Sequence, residues 1–125
     1  MPRVLIIEDD PALRRALRIF LEKSGHTVVE AHDGQVGLKA HAAQTFDLIV
    51  TDLIMPEMDG VGLICALRKS HPTLPVIAIS GGGRMSPENY LHIARQCGAA
   101  VVLAKPFAME KLGVAIDQLL AKKAG

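Results

Sequence analysis

Five short apolar runs punctuate the chain, at residues 4–7, 27–31, 48–51, 76–79 and 100–104, and helical patterning fills the stretches between and after them. The runs are rich in Val, Ile and Leu and carry few polar residues, which suits strands covered on both faces. The clearest helix follows the first run. Asp10 stands as an N-cap before Pro11 at the first helical position, Leu13, Leu17, Phe20 and Leu21 share one face, and Gly25 stops the helix. A second helix over 34–44 is weaker in pattern because Gly34 and Gly37 lie inside it. A third, over 60–70, offers Val61, Ile64 and Leu67 to a core and ends at His71-Pro72. Ser86-Pro87 opens a fourth that stops at Gly98, and a fifth runs from about Met109 through Leu112, Ala115, Ile116, Leu119 and Leu120.

Alternation of this kind implies parallel βαβ units with right-handed crossovers, and hence an α/β layering of helices on both faces of a five-stranded sheet. At 125 residues the chain has the size of one domain. Residues 1–121 are expected to form it, with 122–125 as a polar tail or the start of a linker. An aromatic content of 3% leaves the core to aliphatic side chains. A formal net charge of +1 gives no basic excess for nucleic acid, so Arg14, Arg15, Arg18 and Lys23 read as a solvated helix face. No apolar stretch is long enough to span a bilayer and the start lacks a signal-peptide pattern, so a cytoplasmic protein without membrane contact is expected. Cys65 and Cys97 form no CxxC pair and read as buried, reduced thiols.

The polar residues capable of chemistry sit at the carboxyl ends of the apolar runs: Glu8 and Asp9 after the first, Asp52 after the third, Ser80 after the fourth and Lys105 after the fifth. In an open parallel sheet that end is where the binding crevice lies. Taken singly, each acid is as readily a helix cap, Ser80 a turn residue and Lys105 a solvated cation. Together they demand more. Three carboxylates about 4 Å apart repel by about 4 kcal/mol per pair at an effective dielectric near 20, a sum comparable with the about 5–15 kcal/mol that holds a small domain folded. One lysine cannot balance three acids, so a divalent cation is expected. Oxygen donors without His or Cys select Mg²⁺, or Mn²⁺, over zinc, and such a cation leaves positions open to a phosphate oxygen.

The segments from Val4 to Asp10, from Asp52 to Gly60 (D-L-I-M-P-E-M-D-G), Ile79-Ser80 and Lys105-Pro106-Phe107 resemble, in the right order over essentially the whole chain, the signature segments of response-regulator receiver domains. The resemblance implies a flavodoxin-like, doubly wound five-stranded parallel sheet of order 2-1-3-4-5 with five helices. It implies a phosphoacceptor role for Asp52 and a metal site made by Glu8 through water, by Asp9 and Asp52 directly, and by the Ile54 carbonyl. It further implies that the Ser80 hydroxyl and the Lys105 ammonium meet the phosphoryl group. The donor would be a sensor histidine kinase or phosphotransfer protein, and the result a conformational switch controlling an output domain or partner. No external substrate is turned over; the domain catalyses only its own phosphorylation and dephosphorylation.

The chain departs from that family at three places. Val102 stands where a switching Tyr or Phe is common, Gly81, Gly82 and Gly83 lengthen the loop after Ser80, and the fifth strand lacks the acidic and aromatic residues of the transcription-factor dimer face. The switch is therefore expected in Ser80, Gly81, Gly82, Gly83 and Val102, and the protein as a monomer or weak homodimer. A flavodoxin-like cofactor carrier needs a phosphate cradle where Glu8-Asp9-Asp10-Pro11 would repel phosphate. A haloacid-dehalogenase-like phosphatase needs a second Asp where Ile54 stands, and there is no Walker A pattern. A degenerate receiver that binds partners without phosphorylation is opposed by the intact set of five site residues. No effector domain fits after Lys105, so either a stand-alone receiver or one cut from a longer protein is expected.

Overall fold

A computed structural model describes residues 2–33, 37, 39, 46–52, 65–69, 73–80, 99–104 and 107–124. Five strands, β1 (Arg3–Ile7), β2 (Thr27–Ala31), β3 (Leu48–Asp52), β4 (Val76–Ser80) and β5 (Val101–Ala104), form one parallel sheet in the order β2-β1-β3-β4-β5. The strand positions expected from the apolar runs hold to within a residue at each end. The differences matter for the site: Asp52 and Ser80 are the last residues of their strands, held in the ladder instead of lying in the loops beyond.

Side chains alternate across the sheet and build two apolar layers. Leu5, Ile7, Ile49, Val76 and Ala78 face one way with Ala31, Phe46, Leu67 and Leu74, and Val29, Cys65, Ala99 and Val102 pack at the margin of that layer. Val4, Ile6, Val28, Leu48, Val50, Ile77 and Ile79 face the other way, against Leu17 and Leu21 of α1 (Pro11–Lys23) and Leu112, Ala115 and Ile116 of the C-terminal helix (Met109–Ala124). Each central strand is thus sealed on both faces, and its uninterrupted apolar sequence is the cause.

The first helix follows its sequence signals. The Asp10 side chain accepts from the Ala12 N–H at 3.0 Å, Pro11 occupies the first turn, and the chain leaves through Ser24 and then Gly25 at φ +94°. Of the second and third expected helices, Gly37, Lys39 and residues 65–69 are helical; their remaining residues, and the whole of the fourth, lie outside the described residues. Gly37 has a positive reason to be glycine. A Cβ there would collide with Ile7 Cδ1 and lie 2.8 Å from Ile7 Cγ1, so the Ile7 side chain would have to shift to admit even a methyl. The C-terminal helix continues to Ala124, into the segment read as a tail. Cys65 is a half-buried free thiol, and Cys97 lies outside the described residues.

Candidate metal and phosphoryl site

Parallel pairing brings the acids together. Ile7 of β1 is level with Thr51 of β3, so the next residues along, Glu8 and Asp52, emerge side by side at the carboxyl end of the sheet. Glu8, Asp9 and Asp52 each offer a carboxylate oxygen, and these oxygens all lie within 4.8 Å of one another. Glu8 and Asp52 are buried, 1% and 4% exposed, while Asp9 faces solvent. Two of the acids thus line the floor of the site and the third stands at its mouth.

Around them the main chain is tied down. The Glu8 N–H donates to the Ala31 carbonyl at 3.1 Å, and a Glu8 carboxylate oxygen accepts from the Asp10 N–H at 3.2 Å. The Thr51 hydroxyl, fully buried, donates to the Asp52 carbonyl at 3.1 Å. At the opposite end of the strands, Asp47 accepts from the Arg3 N–H at 2.8 Å through its side chain and donates its own N–H to the Arg3 carbonyl at 2.8 Å, fixing the relative register of β1 and β3.

Two arginines of the expected solvated face, Arg14 and Arg18, are tied to partners, while Arg18 keeps a side chain 42% exposed. Arg14 donates to the Glu8 carbonyl at 2.8 Å and, through Nε, to Glu30 at 3.3 Å, and Arg18 donates to the other Glu30 oxygen at 2.7 Å while pairing with Glu22 at 3.3 Å. Helical spacing puts Arg14 and Arg18 on one side of α1, but their partner Glu30 belongs to β2, and nothing local announces it. The Arg18 hydrogen bond holds the Glu30 carboxyl below the usual carboxylate range; partial burial opposes the shift and Arg14 adds to it. Arg15 and Lys23 are exposed as expected.

Ser80 closes β4 one residue beyond the partner of Asp52 and is level with Ala104, the residue before Lys105. The Ser80 side chain, Ile54, Gly81, Gly82, Gly83 and Lys105 lie outside the described residues. Val102 is half-buried at the margin of one apolar layer, together with Cys65 and Ala99.

The family model for the response regulator receiver domain matches residues 4–117. The chain belongs to that family. This receiver is 36% identical over 121 residues to the transcriptional activator protein PfeR of Pseudomonas aeruginosa, covering 97% of this chain and 38% of the relative. It is 34% identical to the response regulator MprA of Mycobacterium ulcerans, covering 96% of this chain and 50% of the relative. The receiver therefore spans half or less of the length of these curated relatives. Among solved structures, the receiver domain of the Francisella response regulator 1452 superposes with a TM-score of 0.90 at 30% identity, covering 98% of this chain and 99% of that one. A CheY-like receiver domain protein from Methanospirillum hungatei superposes with a TM-score of 0.90 at 28% identity, covering all of this chain and 99% of the other. The chain is thus a receiver domain of the two-component response-regulator kind, a signalling module. Among the described residues, no helix is long and apolar enough to cross a membrane.

The donor set of the cluster is all carboxylate oxygen, which fits a hard divalent cation such as Mg²⁺ and not zinc, whose protein sites favour His and Cys. Among the described residues it is the one cluster of metal-ligand type.

Proposed function

We propose that this receiver accepts a phosphoryl group on Asp52. The observation that carries the reading is the meeting of Glu8, Asp9 and Asp52 within 4.8 Å, with Asp52 itself 4% exposed at the end of a central strand. An Asp52 carboxylate oxygen attacks the phosphorus of the donor, the bond from phosphorus to the donor's nitrogen or oxygen breaks with its electron pair leaving on the donor, and a P–O bond of an acyl phosphate forms. Mg²⁺, when bound, neutralises charge on the phosphoryl oxygens. Asp9 and Asp52 would hold it directly, Glu8 through water, and the Ile54 carbonyl would complete the protein ligands.

Burial of Asp52 limits water around the carboxylate and fixes its direction of attack, since β3 pairs on both sides up to its final residues. The Ser80 hydroxyl hydrogen-bonds the transferred group and the Lys105 ammonium offsets its charge. Residues 80–83 and Val102 carry the response, a short aliphatic side chain replacing the large aromatic that would otherwise move. The phosphodonor is a sensor histidine kinase or phosphotransfer protein that the domain meets in the cytoplasm, and the domain turns over no other substrate. An output domain or separate partner reads the modified state.

Acetyl phosphate with Mg²⁺ should add one phosphoryl group to the wild type, seen as a single mass increment in intact-mass spectrometry. Asp52→Asn should abolish it. Equal labelling of the two proteins would reject Asp52 as the acceptor.

A further inference from the structure

The acidic loop between β1 and α1 is held from two sides. On one, the Glu8 N–H is bonded to the end of β2; on the other, the Glu8 carbonyl accepts from Arg14, at 2.8 Å. That carbonyl belongs to the peptide plane from which Asp9 emerges. Fixing the plane therefore fixes the direction in which the exposed acid of the cluster leaves the main chain. Arg14 is itself aimed, because its Nε meets Glu30 and the second Glu30 oxygen is held by Arg18. We propose that Arg14, braced by Glu30, is a positioning residue that orients the Glu8-Asp9 peptide for cation binding. This rests on the reading of the acidic cluster as a Mg²⁺ site.

Two physical points favour a geometric role over a general electrostatic one. Arg14 and Arg18 are matched by Glu22 and Glu30, so the group carries no formal net charge and contributes little field at the cluster. The planar fork of arginine also serves two acceptors at fixed angles, one on the loop and one on β2, which a lysine ammonium on a flexible stem does not reproduce. Outer partners that orient metal ligands are typically worth about 10–100-fold in metal affinity.

The sign of the effect separates the two explanations. Removing a cation from beside a cation site should, on charge alone, tighten Mg²⁺ binding; loss of positioning should weaken it. Isothermal titration of the wild type with MgCl₂, alongside Arg14→Ala, Arg14→Lys and Glu30→Gln, reads this without any phosphorylation step. Arg14→Ala should bind Mg²⁺ about tenfold more weakly, near the lower end of that range. Arg14→Lys should recover little of the loss although it restores the charge, and Glu30→Gln should fall between. Metal-free thermal melts show which variants fold, and Arg14→Lys decides the question if Arg14→Ala does not. Variants that bind Mg²⁺ as tightly as the wild type or more tightly, even with a lowered melting temperature, would overturn the positioning role alone. Absence of Mg²⁺ binding by the wild type would instead overturn the metal-site reading, and the positioning role with it.

Discussion

At one edge of the sheet, β2 is fastened to α1 by directed polar bonds, with Glu30 taking Arg14 on one oxygen and Arg18 on the other. At the other edge, Val101, Val102 and Leu103 of β5 are all half-exposed, and a cavity of about 430 Å³ opens between that strand and the C-terminal helix, lined in part by Val101, Leu103, Val114 and Ala115. Val114 is 56% exposed. Ion pairs and hydrogen bonds have preferred lengths and angles, whereas apolar contact is non-directional and tolerates sliding. The edge beside the acids is therefore built to hold a geometry, and the far edge to allow a shift. That division suits the proposed phosphorylation, in which the acids must hold their places while another part of the domain responds.

The contrast is sharpest at two glycines. Gly37→Ala drives a methyl into Ile7 beneath the acidic loop and should destabilise the protein by about 1–2 kcal/mol, the overpacking cost outweighing the gain in helix propensity. Gly113→Ala in the C-terminal helix brings a methyl to 3.3 Å from the Phe20 ring, which can yield by a few tenths of an ångström. With about 1 kcal/mol of propensity in its favour, it should stay within about 1 kcal/mol of the wild type. Urea unfolding of both variants measures the difference, and equal losses would erase the contrast between the two sides.

A smaller difference is expected between two valines of the same apolar layer. Val28 on β2 is 6% exposed, and Val101 on β5 is half-exposed. Val28→Ala should cost about 1.5–2.5 kcal/mol and Val101→Ala roughly half as much, since fewer of its methyl contacts are lost. A Val101→Ala cost as large as that of Val28→Ala would show that β5 is packed as firmly as β2.

The smallest effect is one of pH. Glu30 has its pKa lowered by Arg18 in the folded state, so its contribution is fully present above the unfolded value of about 4.3 and is lost as pH falls through the lower folded value. Stability measured by urea at about pH 5.5 and about pH 3.5 should therefore fall less in Glu30→Gln than in the wild type. An identical fall would mean that the exposed part of the pair is screened to no effect.

Much of this fold was legible because its signals are local. Strands sealed on both faces announce themselves as apolar runs, and Asp10-Pro11 with Leu17 and Leu21 define α1 without help from the rest of the chain. The convergence of Glu8, Asp9 and Asp52 was legible at one remove, since parallel strands must bring their carboxyl ends to one side. What escaped depends on partners distant in sequence. Arg14 and Arg18 looked like surface charge because Glu30 meets them only once β2 is paired with β1. Gly37 looked like a weak point in a helix because its reason, the Ile7 side chain, belongs to another element.

The strand order also sets a timetable. Val4 is paired with Val28 on one side and with Leu48 on the other, so β1 is completed only after β3 has been made. Every pairing in the sheet is parallel, and none can be closed by a tight turn. Folding must therefore wait on long loop closures, which slows it and leaves the apolar strands bare meanwhile. The pairing that brings Glu8, Asp9 and Asp52 together thus leaves β1 open along one side until β3 has been made.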